Sequence, residues 1–392
     1  MKRPNILFLF SDQQRWDTLG CYGELGESLN LTPHLDKLAA DGVRFEYAFT
    51  PQPVCGPTRA VLQTGLYATQ VGVPTNHCVP PAEAMKLAPA MQEAGYQTGY
   101  IGKWHLASRG RGGGADDFVD KPVPPERRGG YDYWLAADVL EFTSHGHDGH
   151  MWDGEGNRRD FPEGEFRVDA QTDWVCEYLR EKRDPDKPFY LMVSWIEPHH
   201  QNDNERFEGP HGSAERFADY PVPGDLAGMP GDWQKEMPDY LGCCHALDGA
   251  VGRIRETLDE LGLAEDTLII YTSDHGCHFR TRNSEYKRSC HDGCLRIPMV
   301  MAGPGVPHGY VPKELVSLID IPPTILAAGG ADVPETFVGN PMQPLWDGTG
   351  RDDWPDHVYA QISESECGRT IRTERWKYAV TAEDATGADP WG

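Results

Sequence analysis

The chain has 392 residues, of which 39% are hydrophobic and 10% aromatic, enough for a sizeable buried core in one large domain with an appendage, or in two domains. Its 36 basic and 61 acidic residues leave a formal charge of −25. That balance argues against nucleic acid and anionic membranes as partners, since phosphate neutralisation needs clustered Lys and Arg, and no stretch reaches the roughly 18 apolar residues of a membrane-spanning helix.

The first apolar run, within NILFLF, stops at Ser11 and Asp12. It is shorter than the roughly 7–15 residues of a signal-peptide core, so a buried strand is expected. On this reading the chain is cytoplasmic as it stands, and periplasmic or secreted if a leader has been removed. TPHLDKLAADG predicts a helix with Thr32 as cap, Pro33 in the first turn and Gly42 as stop. LAPAMQEAGY predicts a helix that feeds a strand at QTGYIG, and PFYLMVSW predicts a buried strand. Residues 236–262 place Met237, Tyr240, Leu241, Cys244, Leu247, Val251, Ile254 and Leu258 at helical spacing, so a long amphipathic helix is expected. TLIIYTS and IPMVMAG predict strands, and LVSLIDIPPTILAAGG an apolar segment that ends as a helix stopped by glycines. Segments 102–170 and 200–235, rich in polar residues and Gly, read as long insertions of the kind that line active sites. After 335, HVYAQISESECGRTIRTERWKYAV predicts a small antiparallel sheet, and the chain ends at DPWG without a clear closing element.

This alternation predicts an α/β fold. A large, mostly parallel central sheet flanked by helices is expected over residues 1–334. A small C-terminal antiparallel α+β subdomain is expected over 335–392, with its truncation left open. Such sheets bind ligands at the carboxyl ends of their strands. The ten cysteines include no paired C-x-x-C pattern, and Cys290 and Cys294 have no second pair to support zinc. A large domain needs no disulfide staples, so most of them read as small buried hydrophobes.

Three short stretches carry the chemistry. In PVCGPTRAVLQTG, Cys55 stands at the mouth of an expected helix and Arg59 follows it. LFLFSDQQ ends a strand with Asp12 and Gln13, and LIIYTSDHG ends another with Asp274 and His275. Two carboxylates, an amide oxygen and an imidazole suit one divalent cation such as Ca²⁺ or Mg²⁺. Either aspartate alone reads as a helix cap after a strand; both together, beside the Cys55 stretch, point to a site.

These blocks resemble the type I (formylglycine-dependent) sulfatases of the alkaline phosphatase superfamily over nearly the whole chain. The family signature C-x-P-x-R, with T-G further on, is met by Cys55-Gly56-Pro57-Thr58-Arg59 and Thr64-Gly65. The resemblance implies that a formylglycine-generating maturation enzyme oxidises Cys55, and that the hydrated aldehyde attacks sulfur and then releases sulfate by elimination. The helix N-terminus adds partial positive charge for an anion. By the same resemblance Arg59 orients the gem-diol. GYIGKWHL implies that Lys103 contacts sulfate and that His105 takes the proton that triggers elimination. SWIEPHH implies His199 near the leaving oxygen, with His200 as its alternative or as a sugar contact. NSEYKRSCHDGCLRIP implies that Lys287 binds sulfate and the leaving group. Asp12, Gln13, Asp274 and His275 match the metal blocks, although many members carry a second aspartate where Gln13 stands. Ca²⁺ is the expected ion, with Mg²⁺ or Mn²⁺ acceptable.

The expected activity is hydrolysis of sulfate monoesters, on a sulfated small molecule or glycan and preferably a carbohydrate. His200, Arg280, Arg282, Arg288 and His291 are polar, lie near the core blocks and suit sugar hydroxyls or carboxylates; His145, His147 and His150 are weaker pocket candidates. One rival is a phosphonate monoester hydrolase or phosphodiesterase of the same superfamily, whose members also pair Asp with Gln and carry C-G-P; the Lys103–His105 block favours the sulfatase. The other is a catalytically silent sulfated-glycan binding protein, which would lack a nucleophile, metal or base residue; none is missing here.

Overall fold

NILFLF forms strand β1 (Asn5–Ser11), and all of it is buried. Alternation sends Ile6, Phe8 and Phe10 into the apolar cluster on one face of the sheet, and Leu7 and Leu9 into the cluster on the other. A strand covered on both faces needs a continuous apolar run, which is what the sequence has. The structure is a computed structural model and describes residues 3–109, 117–349 and 351–382. The terminal DPWG and part of the Gly-rich stretch near 112 lie outside the described residues.

The other main strands are β2 (Gln97–Lys103), β3 (Tyr133–Ala137), β4 (Phe189–Ser194), β5 (Thr267–Ser273) and β6 (Met299–Ala302). The ten-stranded sheet runs Val43–Arg44, β6, β5, β1, β4, β2, β3, Asp148–Asp153 and Ser144–His145, with Arg158–Asp160 paired to Asp148–Asp153. From β5 to β3 all pairings are parallel; β6 and the outer strands are antiparallel. Helices α1 (Pro33–Ala40), α4 (Arg167–Glu177) and α5 (Trp233–Glu260) cover the Leu7 face. Helices α2 (Cys55–Thr64), α3 (Leu87–Glu93) and α6 (Ile321–Gly329) cover the Phe8 face. All eight apolar positions expected on α5 are buried, and each Met, Leu, Val or Ile among them contributes about 1.5–3 kcal/mol relative to exposure. The helix α6 stops at Gly330, which takes the left-handed conformation with φ 64°. No helix among the described residues is long and apolar enough to cross a membrane.

Some local readings change. Thr32 precedes α1, but its hydroxyl accepts from the Gly20 amide instead of capping the helix. Asp248 of α5 caps it, accepting from the amides of His34 and Leu35 at 3.2 and 2.8 Å. Gly42 lies beyond the Asp41 cap, and its lack of a side chain serves packing: a Cβ there would fall 2.0 Å from the Met301 carbonyl oxygen. The segment 102–170 is more than an insertion, since it supplies β3 and the outer strands of the sheet. Cys290 falls outside the short helix Asp292–Leu295 that holds Cys294.

Register builds the site. Ser11 pairs with Ser273 across β1 and β5, so Asp12 and Asp274 leave the carboxyl ends of adjacent parallel strands at one level. The Asp274 amide donates to the Ser11 carbonyl at 3.2 Å, and the Asp12 amide donates to the Glu197 carbonyl, beyond β4, at 3.1 Å. A separate antiparallel sheet follows, formed by β7 (His357–Ile362), β8 (Gly368–Thr373) and β9 (Lys377–Thr381). Val358, Ala360 and Ile362 of β7 pack on Phe49, Leu295 and Leu315, which carries the β7–β8 turn to the site's rim.

Candidate active site

Cys55 is the first residue of α2 and is 1% exposed. The adjacent Gly56 amide donates to Asn76 Oδ1 at 2.9 Å, which fixes the mouth of the helix. Cys55 Sγ lies 3.4 Å from Asp12 Oδ1, 3.4 Å from His275 Nε2 and 2.8 Å from Lys287 Nζ. Above it opens a cavity of about 90 Å³ lined by Gln13, Asn76, His77, His105, Glu141, His199, Asn202, Glu285, Tyr286, Lys287, Arg288 and Glu364.

Under the thiol, ligand atoms of Asp12, Cys55, Asp274 and His275 all lie within 4.8 Å of one another. His275 Nε2 is 3.7 Å from Asp12 Oδ1 and 3.5 Å from Asp274 Oδ1. Its other nitrogen, Nδ1, donates to the Gly276 carbonyl at 2.9 Å. That bond fixes the tautomer and leaves the Nε2 lone pair facing the carboxylates, the arrangement of a metal-binding imidazole. Asp274 Oδ2 is buried with no partner among the described residues. Burial and the neighbouring Asp12 carboxylate push Asp274 up to about 7: the cations around Asp12 leave the second carboxylate of this buried site uncompensated. A divalent cation relieves that deficit, so the residues fit one. Gln13, in the left-handed conformation with φ 71°, donates its amide to Asp274 Oδ1 at 2.9 Å. Its side-chain nitrogen is 3.5 Å from Cys277 Sγ.

Cations surround this cradle. Lys103 Nζ is 2.9 Å from Asp12 Oδ2 and 3.1 Å from Glu141 Oε2. Burial alone would push the lysine down, but Asp12, Cys55 and Glu141 outweigh it and hold Lys103 above its ordinary range. Arg59, one turn into α2, is spent on structure: its Nη2 is 3.0 Å from Asp12 Oδ2, and its Nη1 donates to the Lys103 carbonyl and Ser194 Oγ, both at 2.7 Å. Burial would raise Asp12, but Lys103, His199, Lys287 and Arg59 keep it well below the usual carboxylate range.

The two histidines are held neutral. His199 Nδ1 donates to the His200 carbonyl at 2.6 Å, so its Nε2 accepts from Lys287 Nζ at 2.9 Å. Burial, then Lys287 and Lys103, push His199 well below the ordinary value. Burial and Lys103 do the same to His105. Both ring nitrogens of His105 are buried without a hydrogen-bond partner among the described residues, and its backbone is left-handed at φ 59°.

Of the expected sugar-binding residues, the cavity keeps only Arg288, which pairs with Glu364 at 2.5 Å and Glu285 at 3.2 Å. His200 stacks on Tyr286 at 4.2 Å and is not among the residues that line the cavity. Arg280 stands over the same ring, 4.6 Å from its centroid and 3.6 Å from Asp232. Arg282 and His291 line a different cavity, of about 430 Å³, with Trp16 and Asp225. His145 and His147 line another, beside His211, and His150 faces Asp120. Sequence reasoning missed Glu141, Asn76, His77, Asn202 and Glu364. None lies in a motif, and only the fold brings them to Cys55; Glu285 and Tyr286 belong to the Lys287 block NSEYKRSCHDGCLRIP.

A family model described as Sulfatase matches residues 4–331, and one described as N-sulphoglucosamine sulphohydrolase, C-terminal, matches residues 284–386. The chain is 33% identical over 371 residues to the uncharacterized sulfatase YidJ of Escherichia coli strain K12, covering 86% of this chain and 70% of that protein. It is 29% identical over 399 residues to the ulvan-active sulfatase of Formosa agariphila, covering 97% of this chain and 73% of that protein. Its fold matches BT33494S-sulf, solved in work on glycosaminoglycan metabolism by Bacteroides thetaiotaomicron, with a TM-score of 0.83 at 25% identity, over 98% of this chain and 88% of the other.

Proposed function

The chain belongs to the sulfatase family, and from that premise we propose that it hydrolyses sulfate monoesters on carbohydrates at the Cys55 cavity. It is a sulfuric ester hydrolase with an alkaline phosphatase-like fold, in a family that generally uses formylglycine and a divalent cation. The proposed ion is Ca²⁺, with Mg²⁺ or Mn²⁺ as substitutes, held by Asp12, Gln13, Asp274 and His275. The proposed partners are a sulfated glycan and the enzyme that matures Cys55. We take residues 1–334 as the catalytic unit and 335–392 as a subdomain that adds Glu364 to the rim.

The observation that carries this reading is the convergence of Lys287, His199, Asp12 and His275 on Cys55 at the N-terminus of α2. When present, formylglycine supplies a gem-diol nucleophile with a second hydroxyl for elimination, and the cation supplies charge that polarises the sulfate. The residues of the chain do the rest. Lys287 meets the sulfate and the oxygen on which leaving-group charge grows, where a preformed cation acts most strongly on the transition state. His199, neutral and oriented by the His200 carbonyl, faces the leaving oxygen. His105, neutral and unpartnered, accepts the proton released on elimination. Lys103 holds the sulfate against the repulsion of Asp12, and Arg59 fixes Asp12 and the Lys103 backbone. Arg288 reads the sugar at the mouth.

Paired assays with aryl sulfate, aryl phosphate and aryl phosphonate esters, on protein matured in the presence of the formylglycine-generating enzyme, test the reading. Sulfate turnover that disappears in Cys55→Ala supports it. A phosphonate preference, or turnover by the alanine variant, would refute it.

A further inference from the structure

Glu141 is a carboxylate in a pocket built for an anion. It is 4% exposed, sits in the 3-10 turn Leu140–Phe142 after β3, and lines the cavity over Cys55. Apart from the ion pair with Lys103, its Oε2 has no hydrogen-bond partner among the described residues. Lys103 is already matched by Asp12 at 2.9 Å. The other carboxylates have evident duties: Asp12 and Asp274 form the metal cradle, while Glu285 and Glu364 hold Arg288. Glu141 has none of these.

Its negative charge weakens binding of every anionic ester, but unequally. A sulfate monoester carries a single negative charge in the ground state and the transition state. A phosphate monoester carries about −1.5 to −2 at neutral pH. Coulomb energy scales with the product of the charges, so a fixed carboxylate penalises the phosphate ester nearly twice as strongly. Lys103, Lys287, Arg59 and a divalent cation pull the other way and, unopposed, favour the dianion. We propose that Glu141 is a specificity-determining residue: a fixed negative charge that makes the cavity select singly charged sulfate monoesters over doubly charged phosphate monoesters with the same leaving group. This inference rests on the sulfate-ester reading.

The test compares kcat/KM for p-nitrophenyl sulfate and p-nitrophenyl phosphate in the matured, metal-loaded wild type and in Glu141→Gln. Any loss of Lys103 alignment weakens the doubly charged ester more than the singly charged one, so it lowers the phosphate-to-sulfate ratio and cannot mimic the expected rise. The phosphate-to-sulfate ratio is expected to rise on the order of 10-fold or more in Glu141→Gln, as a change of one unit charge near the ester allows, and to stay near wild type in Glu141→Asp. An unchanged ratio beside normal wild-type sulfate turnover overturns this inference and leaves the sulfatase reading intact. A wild type that prefers the phosphate ester overturns both. Should Glu141→Gln fail to fold, the wild type itself decides, through inhibition by methyl sulfate and methyl phosphate. Methyl phosphate takes up a proton near pH 6, and its inhibition is expected to tighten about 10-fold relative to methyl sulfate as it becomes a monoanion. Dianionic methyl phosphate that binds as tightly as the monoanion, or more so, overturns the proposal.

Discussion

Lys287 Nζ lies 2.9 Å from His199 Nε2 while also reaching Cys55 Sγ at 2.8 Å. One ammonium thus touches the nucleophile position and the histidine assigned to the leaving group. The geometry requires a neutral His199, and burial together with Lys287 and Lys103 pushes its pKa down in that sense.

Lys287→Ala and Lys103→Ala should each lower kcat/KM for an aryl sulfate by roughly 10²-fold or more, the usual cost of losing one preorganised electrostatic contact. Lys287 acts where charge develops, so its loss should fall mainly on kcat. Steady-state kinetics check this; a neutral Lys287→Ala would remove the assigned role.

Arg288 and Arg282 should separate. Arg288 lines the Cys55 cavity, while Arg282 lines another. Arg288→Ala should raise KM for a sulfated oligosaccharide and change a small aryl sulfate less. Arg282→Ala should leave the aryl sulfate unchanged. An aryl sulfate defect in Arg282→Ala would place its cavity in communication with the site.

Chelation should abolish sulfate turnover and lower the unfolding temperature, and added Ca²⁺ should restore both. At about 100 times its dissociation constant the ion adds about 2.7 kcal/mol to stability. Asp274→Asn removes one of the two facing carboxylates, so it should blunt the Ca²⁺-dependent shift in a thermal melt. A full shift in that variant would mean that the ion sits elsewhere.

His278 should make the fold acid-sensitive. Its Nε2 donates to the Lys287 carbonyl at 3.2 Å, and burial pushes the group down to about 4. The folded state therefore resists protonation, while the unfolded chain takes up the proton near 6.5. Stability from this group is fully present above about pH 6.5 and is lost progressively toward pH 4, by up to roughly 3 kcal/mol. Denaturant titrations of wild type and His278→Gln should show a shallower loss in the variant over that window; parallel curves would contradict the assignment.

The strands and the ion cradle were legible because they depend on short-range pattern. A buried run that ends in Ser-Asp carries both the strand and the carboxylate at its end, and parallel register then places Asp12 beside Asp274. The sugar-side residues were not legible, because nearness in sequence is not nearness in space. Phe279, Arg280 and Arg288 adopt left-handed backbone, with φ of 49°, 58° and 69°. In this loop Arg282 faces one cavity while Lys287 and Arg288 face another. Glu141 and Glu364 come from a turn after β3 and from the C-terminal sheet, and only long-range packing brings them to Cys55. The cap of α1 failed to show for the same reason, since Asp248 lies far along the chain from the amides it serves.

Mass spectrometry of the Cys55 peptide, taken from a preparation that is turning over an aryl sulfate, tests the central claim most directly. The account predicts an aldehyde at residue 55 in a fraction that matches the active fraction and rises with coexpression of the maturation enzyme. An equally active preparation in which Cys55 is wholly a thiol would contradict it.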